Sequence, residues 1–80
     1  MRKMNIEIYT KLGCSLCDQA KALCKVKGLE YTEKSLDDID RMIDFQMAYP
    51  EARQMPQIFI NRQRVGGFAG LKAALEKMGL

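Results

Sequence analysis

The chain has 80 residues, a net charge of +3, three cysteines and no histidine. That length makes one small domain, residues 1–80, with a core just large enough to fold alone. The charge is too small to point to nucleic acid, an odd cysteine count argues against a secreted disulfide scaffold, and no apolar run behind Met1-Arg2-Lys3-Met4 is long enough for a signal peptide or a membrane span. The expectation is a monomeric cytoplasmic protein with no nucleic-acid or membrane partner. Charge is unevenly spread: residues 1–27 carry six bases and two acids, 30–51 two bases and seven acids, and 53–80 five bases and one acid. This distribution would favour a small anionic ligand near the cysteines; the other reading is a solvated surface.

Residues 4–10 alternate apolar and polar side chains and predict a first strand. Residues 18–27 predict a helix with Cys17, Ala20, Leu23 and Cys24 near one face and Gly28 as its stop. Residues 29–33 alternate again, and a strand joined to the first through a helix lies parallel to it. Ser35-x-x-Asp38 resembles a capping box and opens a second helix whose apolar face holds Leu36, Ile39, Met42, Ile43 and Met47, with Pro50 just past its end. Residues 57–60 and 63–65 predict a hairpin around Asn61-Arg62. Gly66-Gly67 then breaks the last strand, and Phe68, Leu71, Ala74, Leu75 and Met78 mark a final helix ended by Gly79. The order is βαβαββα, an α/β class with a mixed four-stranded sheet and three helices.

Cys14-Ser15-Leu16-Cys17 falls between the first strand and the first helix. Unpaired amides and the macrodipole at a helix N-terminus favour negative charge, so a thiol there is more readily a thiolate, the nucleophile of disulfide exchange. Cys17 lies one turn deeper and can close a ring onto the same sulfur. The other reading is half of a zinc site, but zinc takes four ligands and this chain offers three cysteines and no histidine. No metal is expected. Cys24 reads as a small buried core residue or, alternatively, an auxiliary thiol. Tyr9, Met42 and Met47 read as packing, and the acidic stretch 37–44 as a solvated face or a docking surface for a protein partner.

With these elements in this order, the chain resembles the glutaredoxins, which have the thioredoxin fold. Ile8-Tyr9-Thr10-Lys11 with the C-x-x-C and Ala20-Lys21-Ala22-Leu23 is similar to the family's active-site segment, usually written with C-P-Y-C. Met55-Pro56-Gln57-Ile58-Phe59-Ile60 is similar to its T-V-P-Q-I-F-I, and Val65-Gly66-Gly67-Phe68 to its I-G-G-Y or I-G-G-F. The resemblance implies a thiol–disulfide oxidoreductase in which Cys14 attacks and Cys17 or glutathione resolves. It implies a cis Pro56 beside the cysteines, with the Met55 backbone pairing with an extended substrate. Glutathione, as reductant rather than permanent cofactor, would meet Lys11, Leu16, Arg53, Gln54, Met55, Pro56, Gly67, Phe68, Ala69 and Gly70. Partners by the same resemblance are disulfide-bearing proteins, with ribonucleotide reductase among them.

The departures carry information too. Ala69 and Gly70 stand where the family has acidic or hydroxyl residues that hold the γ-glutamyl ammonium, Leu16 replaces the tyrosine of C-P-Y-C, and Gln54 replaces a threonine. Arg53-Gln54-Met55-Pro56 resembles the R-Q-L-P of glutaredoxin-like proteins that take electrons from thioredoxin reductase, which implies that reductase as an alternative donor. Ser15 after the first cysteine is similar to members that bridge a [2Fe–2S] cluster between two subunits, a second alternative.

Overall fold

Ile6, Ile8 and Thr10 face inward between Glu7 and Tyr9, and this alternation forms strand β1 (Ile6–Thr10) in the computed structural model, which describes residues 4–80. The bases at residues 1–3, part of the charge pattern above, lie outside the described residues. After β1 come α1 (Ser15–Val26), β2 (Thr32–Ser35), α2 (Ile39–Ala48), β3 (Gln57–Ile60), β4 (Gln63–Gly66) and α3 (Phe68–Lys77). This is the expected order, and the strands lie side by side as β2-β1-β3-β4. β1 and β2 are parallel, with Glu7 opposite Thr32; β3 is antiparallel to β1, with Ile8 opposite Ile58, and β4 is antiparallel to β3.

The hairpin turns on Asn61 (φ 51°) and Arg62 (φ 70°), both in the left-handed region that matches a two-residue turn to the twist of its strands. Asn61 also ties the turn to β1. Its amide donates to the Asn5 carbonyl at 2.7 Å, and its side-chain oxygen accepts from the Asn5 amide at 3.0 Å. Further along, Gly66 pairs with Ile58 while Arg64 pairs with Phe59, so Val65 is an extra residue and β4 bulges there. Gly66 absorbs the bend with φ 104°.

Helices cover both faces of the sheet. On one face Ile6, Ile8, Ile58 and Ile60 meet Ala20 and Cys24 of α1 and Leu71 and Leu75 of α3. Fully burying such an aliphatic side chain stabilises the fold by roughly 1.5–3 kcal/mol. On the other face α2 sets Phe45 against Phe59 and Leu36. No helix among the described residues is long and apolar enough to cross a membrane.

Several boundaries differ from the sequence reading. α1 begins at Ser15, three residues before the predicted start, because Cys14 itself caps it. β2 spans Thr32–Ser35 rather than residues 29–33. Gly28 takes φ 69° and the Leu29 amide returns to the Cys24 carbonyl at 2.8 Å, so Leu29 is engaged in closing α1. The capping residue of α2 is Asp38, whose carboxylate accepts from the Arg41 amide at 3.1 Å. Ser35 instead ends β2, and its hydroxyl oxygen accepts from the Asp37 amide at 3.1 Å. In α3, Met78 is the C-cap and stands half exposed rather than lying on the inner face.

The largest correction concerns the buried face of α2. Of the expected set, Leu36 is buried and Met42 packs inward, but Ile39, Ile43 and Met47 point to solvent. At ~100° per residue, the helix is turned by about a quarter turn from the aliphatic reading. Phe45 sets this rotation: its ring lies 4.6 Å from Tyr9, 5.1 Å from Tyr49 and 6.5 Å from Phe59. Aromatic pairs add about 0.5–1.5 kcal/mol each beyond the area they bury, so these three contacts add to the burial of the Phe45 ring itself.

Phe45→Ala should therefore cost about 3–5 kcal/mol in urea unfolding, whereas Met47→Ser should stay within about 0.5 kcal/mol of the parent. Equal costs for the two would contradict the orientation of α2.

Candidate active site

β1 ends at Thr10, a short turn follows with Gly13 at φ 69°, and Cys14 arrives as the N-cap of α1. Its Sγ accepts a hydrogen bond from the Cys17 amide at 3.1 Å, one of the donors a helix start leaves without a partner. Cys14 and Cys17 are joined as a disulfide, with Cα atoms 5.2 Å apart. Cys14 keeps a 9% exposed rim while Cys17 is 1% exposed, so an incoming sulfur reaches Cys14 first. The Met55–Pro56 bond is cis, and the Met55 carbonyl oxygen lies 3.4 Å from Cys14 Sγ. The two backbone groups act in opposite senses. The Cys17 amide stabilises sulfur as thiolate, whereas the Met55 carbonyl is an acceptor for the protonated thiol.

The other expected site residues fall into two clefts that share Met55. Leu16, Gln54, Met55, Pro56, Gly67, Phe68 and Ala69 line one, beside the start of α3. Lys11, Arg53 and Met55 line the other, together with Asp37, Met42 and Gln46 from the α2 side. Lys11 belongs to this second cleft, and the donor on Cys14 Sγ is the Cys17 amide. Gly67 caps α3 without a side-chain hydrogen bond, which leaves first-turn amides available.

Gly70 is placed differently. A Cβ at this position would run into the carbonyl of Val65, so Gly70 seats α3 on the bulge of β4 and is not among the residues lining either cleft. α3 begins at Phe68, directly after the bulge, and the position a Gly70 side chain would take looks back at that strand, so only its backbone is left to meet a ligand. Cys24 is fully buried and unpaired; burial pushes its thiol up, consistent with a core residue.

One group behind the dithiol escaped the sequence reading. Thr10 is buried, and its Oγ1 donates to Glu33 Oε2 at 2.7 Å. Lys21 Nζ reaches the same oxygen at 3.1 Å and Asp18 at 3.6 Å. Lys21 lies one turn beyond Cys17, so the cluster pins the cysteine-bearing helix to the ends of β1 and β2. The Thr10 hydrogen bond, helped by Lys21, holds the Glu33 carboxyl below its ordinary range against the opposing effect of burial. The Glu33 hydrogen bond in turn raises Lys21. A signal was present: Thr10 is the polar member of the inward series Ile6, Ile8, Thr10.

A carboxyl depressed on folding contributes stability above its unfolded value, and that contribution is lost as pH falls through the lower folded value. Glu33→Gln should thus be destabilised near neutrality, and its deficit should shrink as pH drops below the ordinary 4.5. Urea unfolding of both proteins between neutral and acid pH measures this; a pH-independent gap would remove the charge from the account. Gly70→Ala gives a test by sign. Helix propensity alone would stabilise it by about 1 kcal/mol, but the collision with Val65 should instead destabilise it by about 1–3 kcal/mol.

The glutaredoxin family model matches residues 6–65. Glutaredoxin 3 of Escherichia coli strain K12 is 37% identical over 76 residues, covering 95% of this chain and 92% of the relative. Among solved structures, glutaredoxin 1 from Francisella tularensis complexed with cacodylate superposes with a TM-score of 0.77 at 32% identity, over 94% of this chain and 95% of the other. The buckwheat glutaredoxin–glutathione complex shares the fold, with a TM-score of 0.74 at 20% identity over 90% of this chain and 68% of the other. With a strand–Cys14–helix junction, a cis Pro56 against it and this breadth of similarity, the chain belongs to the glutaredoxin family of thiol–disulfide oxidoreductases.

Proposed function

We propose that this chain reduces protein disulfides and glutathionylated proteins through a Cys14–Cys17 dithiol, with glutathione as its reductant. The observation that carries the reading is the bonded pair at the α1 N-terminus, whose outer sulfur accepts from the Cys17 amide. In the reducing direction, the Cys14 thiolate attacks one sulfur of a substrate disulfide. A Cys14–substrate bond forms, the substrate S–S bond breaks, and the other half leaves as a thiolate that takes up a proton. Cys17, giving its proton to solvent, then attacks Cys14 Sγ and expels the second substrate thiolate. The dithiol has lost two electrons and the substrate has gained them. Two glutathione thiols restore the dithiol and leave as one glutathione disulfide.

The two clefts support glutathione as the partner. Lys11 and Arg53 offer cations to one carboxylate, and the first-turn amides of α3 suit the other. An extended substrate would lie along Met55 by backbone pairing. Ribonucleotide reductase is one recipient of this kind, and the cytoplasm is where such chemistry would be placed.

One observation favours a second donor. Ala69 carries no side-chain acceptor and Gly70 faces Val65, so no side chain at these positions holds the γ-glutamyl ammonium. That loss supports electron supply by thioredoxin reductase, a flavin enzyme that reduces the disulfide directly.

Cys14→Ser should bring reduction of every disulfide to the uncatalysed rate. Cys17→Ser should lose protein-disulfide reduction but keep turnover of a glutathionylated peptide, where glutathione supplies the resolving thiol. Assays of wild type with glutathione plus its reductase, and separately with thioredoxin reductase, decide the donor. A live Cys14→Ser with a dead Cys17→Ser would reverse the roles.

A further inference from the structure

The quarter turn of α2 has a second result. Ile39, Ile43 and Met47 recur every four residues on its outward side, 66%, 46% and 78% exposed. Eight residues of helix span about 12 Å, so the three side chains make a continuous apolar stripe. Asp40 and Asp44 run along one flank in a cleft shared with Asp38, Lys34 and Arg41. Lys34 is held by Glu7 at 2.8 Å and Arg41 donates to the Ser35 carbonyl at 3.0 Å, while the side chains of Asp40 and Asp44 make no hydrogen bond or ion pair among the described residues. Across the helix, Met42 and Gln46 line the cleft that also holds Lys11, Arg53 and Met55. An acidic-flanked apolar stripe thus borders the substrate cleft.

We infer that this face of α2 docks a basic amphipathic helix of the disulfide-bearing protein substrate, holding it while its sulfur reaches Cys14. The inference rests on the oxidoreductase function proposed above and adds the kind of partner. Charge selects the occupant. Lysines or arginines beside an apolar seam would meet Asp40 and Asp44, whereas a second copy laid α2 against α2 would bring those aspartates against their own kind. Spacing agrees as well, since anchors every three or four residues are how one helix face reads another. The acidic flank steers encounter and the apolar stripe supplies the holding contacts.

The probe is a lysine-rich amphipathic helical peptide carrying one glutathionylated cysteine, compared with a short glutathionylated peptide that has no helix. With Ile43→Ser/Met47→Ser, KM for the helical probe should rise about tenfold, equivalent to ~1.4 kcal/mol, while kcat and short-probe kinetics stay unchanged. Asp40→Asn/Asp44→Asn should weaken the helical probe alone. Raising NaCl from about 0.05 to 0.5 M should weaken the helical probe more than the short one, since the glutathionyl contacts are screened equally in both. Binding of the same helix with serine in place of its cysteine, followed by fluorescence anisotropy on wild-type protein, reads docking without chemistry. Loss of short-probe turnover in wild type would overturn the proposed activity, and the anisotropy would still decide the docking. Equal binding of a glutamate-rich helix, an unchanged KM in the apolar double variant, or wild-type self-association abolished by that variant would each overturn the inference.

Discussion

Everything at this site depends on where one amide points. The Cys17 N–H lies 3.1 Å from Cys14 Sγ only because Cys14 occupies the cap position of α1, directly above the end of β1. Were α1 to start three residues later, as its side-chain pattern suggests, both cysteines would sit in a loop and the donor would be lost. Cap geometry therefore links the local fold to the chemistry, because a helix start has donors without partners and here a sulfur is the acceptor. Keeping that geometry is a tertiary task. Thr10, Glu33 and Lys21 converge on one carboxylate oxygen behind the dithiol and join α1, β1 and β2 where an angular error would move the sulfur most.

The strand and helix order was legible because period-2 and period-3.6 patterns report burial directly. Ile6, Ile8, Ile58, Leu71 and Leu75 are all fully buried, as their spacing predicts. The active-site pair and Pro56 were legible through motif, and the clefts on either side of Met55 contain most of the residues the motifs named. What failed was local. Leu29 alternates like a strand residue, yet its amide is committed to ending α1. In α2 the aliphatic residues outnumber the aromatics, so a count of apolar positions selects the wrong side. Phe45 and Tyr49 stand one turn apart on α2 and its C-cap, but their packing onto Tyr9 of β1 joins two elements and has no signature in either one alone.

The two faces of the sheet divide the work. The α1/α3 face is an aliphatic core that includes the inert Cys24, and it bears the cysteine helix. The α2 face is an aromatic cluster with fewer buried residues, and it borders the Lys11–Arg53 cleft. Arg64 extends this cluster toward solvent, lying 5.3 Å from the Tyr49 ring centroid and 3.4 Å from Glu51. A helix fixed by three rings can leave its remaining surface uncommitted, so the outward stripe of α2 follows from how its inward side is held.

Gly70 shows how packing constrains recognition. The bulge at Val65 brings a carbonyl so close to the first turn of α3 that a residue with a Cβ there would force the strand or the helix to move. An acceptor side chain at Gly70 therefore cannot be gained by substitution while this bulge stands. Ligand contacts at the start of α3 then fall on backbone amides, which the uncapped Gly67 leaves available, and on Ala69 at the cleft lip. Backbone donors recognise a carboxylate but offer nothing to an ammonium. The start of α3 thus suits an anionic group and offers a cationic one no side-chain partner at Ala69 or Gly70.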